Sequence, residues 1–274
     1  MNITGATRLY AIIGDPIAQV RSPEVFTDLF AAAGANAVLI PIHVPSARFD
    51  SIIPGLMAMG NLDGVLVTIP FKARMRPFAD RLTAAAECIG AVNALRRETD
   101  GSWSGEMFDG VGFVRAVRAK GATLHGRRVL MFGAGGAGSA IAYELAAAGV
   151  DSIAIRDPDY DRAVSLAKVL HTAFPSCQIA ASASNPSNED MIVNASPVGM
   201  RPGDGMPGAL GTLAPGTLVG DVIVSVSPTA LIQHAMRHQC TVVTGRDMHA
   251  GQIEAIMRFF APAEREATTD GAAR

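Results

Sequence analysis

The chain has 274 residues, 49% of them apolar and 18% charged, which is enough material for one large hydrophobic core or two ordinary ones. A formal net charge of −2 offers no electrostatic footprint for nucleic acid or an acidic membrane surface, and no apolar run approaches the ~20 residues needed to cross a bilayer. The opening MNITGATRLYAIIGDP lacks the basic segment of a secretory signal, and Cys88, Cys177 and Cys240 are scattered, odd in number and without C-x-x-C spacing, so they are expected as free thiols of a cytoplasmic protein.

Strand and helix patterns alternate along the chain, which predicts an α/β fold with mainly parallel sheets. LYAIIG (9–14) reads as a strand and SPEVFTDLFAAAG (22–34) as a helix, with Pro23 and Gly34 at its ends. A strand over 37–44, a helix over 46–60 and a strand over 63–69 follow, then a helix over 79–90 and a strand over 91–98. VGFVRAVRAKG (111–121) is helical and opens a second unit, in which RVLMF (128–132), SIAIRD (152–157), QIAAS (178–182), MIVNAS (191–196), LVGDVI (218–223) and TVVTG (241–245) are strands. Helices are expected over 139–149 and 161–173. The segment 201–216, rich in Gly and Pro, is a surface loop. HAGQIEAIMRFFAP (249–262) is the closing helix, and 264–274 reads as a frayed tail. The predicted division is residues 1–108, together with the C-terminal 248–274, against 109–247.

Residues 128–138, RVLMFGAGGAG, form an apolar strand running into Gly133, Gly135 and Gly138 at G-x-G-x-x-G spacing, with a helix behind them. Gly133 permits the tight turn, Gly135 a close approach of backbone to pyrophosphate, and Gly138 close packing of helix on strand. Nineteen positions after Gly138 stands Asp157, at the end of the next strand. A carboxylate there accepts hydrogen bonds from the adenosine ribose hydroxyls of NAD and repels the 2′-phosphate of NADP. Arg156 and Arg162 stand nearby, so NAD is preferred while NADP stays open. Asp157 also precedes a proline, a common way to begin a turn with no ligand.

Seven short segments spread over almost the whole chain resemble the shikimate and quinate dehydrogenases. They are GDPIAQVRSP (14–23), VTIPFK (67–72), IGAVNAL (89–95), GEMFDGVGF (105–113), GAGGAG (133–138), NASPVGM (194–200) and GRDMHAGQ (245–252). The resemblance implies an N-terminal α/β substrate domain, a C-terminal Rossmann domain for NAD and a cleft between them. It implies that Lys72 and Asp109 are the catalytic pair and that Ser22, Thr68, Asn93 and Gln252 bind substrate. It implies cofactor contacts from Gly133, Ala134, Gly135, Gly136, Ala137, Gly138, Asp157, Asn194 and Ser196, with no metal. Independently of the resemblance, oxidising a secondary alcohol by hydride transfer requires a group to take the hydroxyl proton. The chain uses three lysines against twenty arginines, and a lysine can give up a proton at working pH where an arginine cannot.

The departures fall at the expected substrate end. Val20 stands for the first serine of S-x-S-P, Leu66 for the asparagine of N-V-T, Met107-Phe108 for the N-T before the aspartate, and Val224 for a tyrosine. Apolar groups in place of hydrogen-bonding ones predict a less polar substrate, because such contacts discriminate strongly. His249 lies near the expected cleft and could replace a lost contact. His234 and His238 are four apart, with no third metal ligand, and read as a surface pair; Ser196 lacks a nucleophile elbow. The combined expectation is a dehydrogenase of a cyclic polyol or hydroxy acid, a monomer or homodimer whose partner is a small-molecule substrate, with no nucleic acid or membrane partner. Two alternatives stand beside it: an NADP-dependent shikimate dehydrogenase, and a non-catalytic NAD-binding or sensing protein.

Overall fold

The computed structural model describes residues 2–183, 189–201 and 203–261, and the tail 264–274 lies outside them. Strand β1 (Arg8–Gly14) has a parallel neighbour on each side, β2 (Ala37–His43) and β3 (Leu62–Val67). Its period-two alternation sends Ala11 and Ile13 into one core and Tyr10 and Ile12 into another. Helix α1 (Ser22–Ala32) covers the second face with Phe26 and Phe30, and α2 (Phe49–Met57) covers the first with Phe49 and Ile53.

The region after β3 departs from the expected single helix over 79–90. Helix α3 (Lys72–Met75) and a 3-10 turn (Arg76–Phe78) lead to a two-residue strand, β4 (Arg81–Leu82), before α4 (Ala84–Ile89). The reason is local: Thr83 is extended and its Oγ1 accepts the Ala86 N–H at 3.3 Å, so the helix cannot begin earlier. The strand expected over 91–98 is the shorter β5 (Ala94–Arg97), paired with β6 (Trp103–Glu106), which was not expected. Strand β5 is antiparallel to both β3 and β6, while β6 is parallel to β4, so the first sheet, in the order β2-β1-β3-β5-β6-β4, is mixed rather than parallel.

Helix α5 (Asp109–Ala119) begins two residues before the expected 111 and carries the chain to the second sheet. That sheet is wholly parallel, in the order β12-β11-β10-β7-β8-β9. Its strands are β7 (Arg128–Phe132), β8 (Ser152–Arg156), β9 (Gln178–Ala181), β10 (Met191–Asn194), β11 (Leu218–Asp221) and β12 (Thr241–Thr244). Helices α6 (Gly136–Ala147), α7 (Tyr160–Ala173) and α8 (Ala230–Arg237) connect them, and the described part of 201–216 carries neither helix nor strand. Strand order reverses between β7 and β10, the doubly wound arrangement whose crevice at the strands' C-terminal ends is where ligands bind.

The last helix, α9 (Gly245–Phe260), starts four residues before the expected 249. Thr244 Oγ1 accepts the Asp247 N–H at 3.3 Å while Asp247 Oδ2 accepts the Thr244 N–H at 2.8 Å, a reciprocal cap that fixes the start. Its far end returns to the first sheet, where Phe260 stacks on Tyr10 with ring centres 4.8 Å apart. Its middle crosses α5 so closely that a side chain at Gly112 would overlap Gln252, and one at Gly251 would overlap the Gly112 carbonyl. The crossing brings residues of α9 beside the first residue of α5, Asp109.

Candidate active site

A cleft of about 1620 Å³ runs between the C-terminal ends of the two sheets, roomy enough for a dinucleotide and a small substrate together. On the second sheet it is floored by the turn from β7 into α6. Gly133 has φ +100°, and a Cβ there would come within 2.7 Å of the Ala195 carbonyl group, so no other residue fits. A Cβ at Gly138 would overlap the Gly133 carbonyl oxygen, whereas one at Gly135 would meet nothing. The first amides of α6, without intrahelical acceptors, therefore end on open space beside a positive helix terminus, a geometry that fits a pyrophosphate.

Gly133, Gly135, Gly136 and Ala137 line the cleft, while Ala134 and Gly138 stand behind it. Ala134 contributes indirectly, since its N–H donates to Asp157 Oδ2 at 2.8 Å. The other carboxylate oxygen, Oδ1, accepts the Asp159 N–H at 2.9 Å and lies 3.7 Å from Arg162 Nη1. Asp157 is thus a brace for the glycine turn, and it also lines the cleft with Arg156 and Arg162. Asn194, fully buried, does not reach the cleft: it donates to Val198 O and Asp221 Oδ1 and accepts from Ser196, which does. Burial pushes the Asp221 carboxyl up, against the hydrogen bonds from Thr229, Ile223 and Asn194.

On the first sheet, Lys72 opens α3 and its Nζ is paired with Asp109 Oδ2, the side chains being 16% and 6% exposed. The lysine stem lies against the glycine turn, its Cδ 3.5 Å from where a Cβ on Gly136 would be. Asn93, just before β5, does three things: its Oδ1 accepts the Phe108 N–H at 2.8 Å, and its Nδ2 reaches Asp109 Oδ1 at 2.8 Å and Gln252 Oε1 at 3.4 Å. Lys72, Asn93, Asp109 and Gln252 therefore form one hydrogen-bonded cluster facing the cleft, with Thr68 beside it. Ser22, buried at the start of α1, has its Oγ 3.4 Å from His249 Nε2. Burial lowers the imidazole pKa, with the charge of Asp109 opposing the shift.

The apolar departures separate into two groups. Val20, Leu66 and Val224 line the cleft. Met107 and Phe108 do not, which corrects their expected place at the substrate end. Met107 is 1% exposed in the core under the first sheet, and Phe108 packs on Phe259 with ring centres 5.5 Å apart. Arg21, Tyr160 and Arg246 also line the cleft and were not singled out by their sequence; their only signal was position, just beyond a motif residue or a parallel strand's end. His234 and His238 face one another at 4.4 Å between ring centres and bond backbone oxygens. Among the described residues there is no group of three or more potential metal ligands, and all three cysteines are free thiols.

Residues 12–95 match the family model described as the shikimate dehydrogenase substrate binding domain. A shikimate dehydrogenase (NADP(+)) of Rubrobacter xylanophilus is 37% identical over 253 residues, covering 90% of this chain and 88% of that protein. The chain belongs to the shikimate dehydrogenase family. Two solved structures share its architecture. Shikimate 5-dehydrogenase from Listeria monocytogenes, in complex with shikimate and NAD, superposes with a TM-score of 0.81 at 29% identity, over 92% of this chain and 91% of that one. Quinate dehydrogenase from Corynebacterium glutamicum, in complex with NAD, gives 0.82 at 26% identity, over 93% and 94%. Membership makes this shikimate dehydrogenase relative a dehydrogenase acting on a CH–OH group with a nicotinamide nucleotide. No helix among its described residues is long and apolar enough to cross a membrane.

Proposed function

We propose that the protein exchanges a hydride between NAD and a secondary alcohol of a cyclic polyol or hydroxy acid, with Lys72 and Asp109 handling the hydroxyl proton. The observation that carries this reading is the Lys72–Asp109 pair, set in a cluster with Asn93 and Gln252 and touching the glycine turn. In this reading residues 1–108 and the last helix hold the substrate, and the second sheet holds the nucleotide.

When bound, the nicotinamide ring supplies the hydride acceptor or donor. The chain does the rest. The α6 amides and Gly135 would hold the pyrophosphate, and Asp157 would hold the adenosine ribose. Asn93 and Gln252 orient the substrate hydroxyls, for which amides suit because each carries donors and acceptors. Lys72 Nζ takes the proton of the reacting hydroxyl as the hydride leaves and returns it in the reverse direction, while Asp109 fixes the direction in which Nζ points. Val20 and Leu66 leave one wall of the cleft without hydrogen-bonding groups, which favours a substrate less polar on that side.

NADP is the second reading of the cofactor. Arg156 and Arg162 line the same wall as Asp157, and Asp157 is partly neutralised by two backbone amides and Arg162. Initial rates on shikimate, quinate and a panel of cyclic polyols and hydroxy acids, each with NAD and with NADP, test both choices. Turnover with NAD exceeding that with NADP on at least one such alcohol is expected. No turnover with either nucleotide, despite measurable nucleotide binding, would refute the enzymatic reading.

A further inference from the structure

Resting on that reading, we propose that Ile12, Val20, Phe26, Leu66 and Ile256 form a pocket for a hydrocarbon substituent of the substrate, so that the substrate class is a cyclic alcohol carrying an alkyl group across the ring from its hydroxyls. All five side chains line the cleft. Ile12 is flanked by Pro41 of β2 and Leu66 of β3, and Leu66 by Ala94 of β5 as well, so the backbone beneath the wall lies inside the sheet and its polar groups are taken up there. Ile12, Phe26, Leu66 and Ile256 belong to one packed core with Tyr10, Phe30 and Phe260, and Val20 packs against it. Such a wall can neither turn a polar group outward nor draw back to admit water. A hydroxyl pressed on it sheds its hydration and gains no partner, whereas a methyl group gains apolar contact. The wall therefore favours hydrocarbon and does not merely tolerate a missing hydroxyl.

The position of the wall says where on the substrate the substituent stands. Ile256 follows Gln252 by four residues on α9, and side chains so spaced on a helix are neighbours about 5–6 Å apart. Leu66 precedes Thr68 by two residues. The Thr68 N–H carries the ladder on past β3 by donating to Ile13 O at 3.0 Å, so the two side chains share one face of the strand. Val67 between them points into the opposite core. Gln252 and Thr68, the polar groups at the reacting end, therefore each have an apolar neighbour about one six-membered ring away. Ser22, one turn before Phe26 on α1, faces His249 Nε2 at 3.4 Å and not the wall. A cyclic alcohol with its reacting hydroxyl at Lys72 and a second hydroxyl at Gln252 would lay its far ring edge on Leu66 and Ile256.

Calorimetric titration of the protein saturated with NADH, or with NADPH if that binds more tightly, tests the pocket, because a reduced nucleotide and an alcohol cannot react with one another. The ligands are a vicinal cyclohexanediol and the same diol carrying either a methyl group or a hydroxyl across the ring, each as separated stereoisomers with the tightest of each compared. The methyl diol should bind about threefold more tightly than the unsubstituted diol and at least about tenfold more tightly than the triol. Leu66→Asn should lower the methyl-to-hydroxyl ratio about tenfold. Val20→Ser, at a half-buried position on the edge of the core, should lower it about threefold and keeps the test decisive if the Leu66 variant fails to fold. Equal binding of the three ligands, preference for the triol, binding of none, or a ratio unchanged in both variants would each overturn the pocket. Methyl-selective binding without oxidation of the methyl diol by NAD or NADP would instead strike the dehydrogenase reading and leave the pocket standing.

Discussion

Gly112 of α5 and Gly251 of α9 meet backbone against backbone, so closely that a methyl group on Gly251 would overlap the Gly112 carbonyl oxygen. This contact sets the distance between the helix that begins with Asp109 and the helix that carries His249 and Gln252. Gly251→Ala should therefore act on the site without touching it. Overpacking of this kind costs about 1–3 kcal/mol, and a displacement of about 1 Å in a positioned group lowers turnover by about a hundredfold. Thermal denaturation and steady-state rates together check this. A variant as stable and as active as the parent would show that the crossing does not position the site.

Asn93 links β5 to α5 and to α9 through one side chain, holding the Phe108 N–H, Asp109 and Gln252 at once. Asn93→Ala leaves a buried carboxylate oxygen and a buried amide without partners, at roughly 1–3 kcal/mol. The expected outcome is a lower Tm and a fall in both kcat and substrate affinity, where Thr68→Ala, on the cleft wall, should leave Tm unchanged. Rates and melting curves for the pair distinguish the two effects.

How much of this was legible in the sequence depended on how local each signal was. The glycine turn could be read because strand, turn and helix are contiguous and each glycine answers a separate steric demand, visible here at Gly133 and Gly138. Lys72 and Asp109, distant in sequence, could be paired only through resemblance to a family. The placement of Met107 and Phe108 was not legible. Next to Asp109 in the chain, they leave the strand on faces that lead into two different cores, and adjacency gave no sign of which. Strand β6, four residues long with Trp103 as its one large apolar side chain, is too short to announce itself by periodicity, and it is fixed by pairing with β5. The early start of α9 did carry a signal, a threonine followed three residues later by an aspartate, which becomes decisive only once both reciprocal hydrogen bonds are seen.

Asp157 accepts the Ala134 N–H and lines the cleft, and in the proposed reading its charge would face the adenosine ribose. Asp157→Ser keeps a small acceptor and removes the charge. The ratio of kcat/KM with NADP to that with NAD should rise about tenfold or more, since a charge beside the expected position of the 2′-phosphate is lost while Arg162 stays on the same wall, paired with Asp159. Measuring both nucleotides at one fixed substrate concentration suffices, and an unchanged ratio would remove Asp157 from the choice of cofactor.

Burial raises the carboxyl of Asp221 above its ordinary value. A raised acid pKa in the folded state means stability that is full below the unfolded pKa and lost as pH climbs through the folded one. Asp221→Asn keeps an acceptor for Asn194 and Ile223 and can donate to Thr229, whose hydroxyl can reverse its role. Its Tm should exceed the parent's by about 2–4 °C at pH 7, and the gain should vanish as pH falls below the ordinary aspartate range. A gain independent of pH would assign it to packing instead of charge.

In the proposed mechanism Lys72 is the group that moves the proton. Lys72→Met removes that group and keeps the aliphatic stem against Gly136. On whichever alcohol and nucleotide the parent turns over best, kcat at saturation should fall about a hundred- to ten-thousandfold while NAD affinity changes by no more than about twofold. A kcat within about threefold of the parent's, with NAD binding intact, would contradict the assignment.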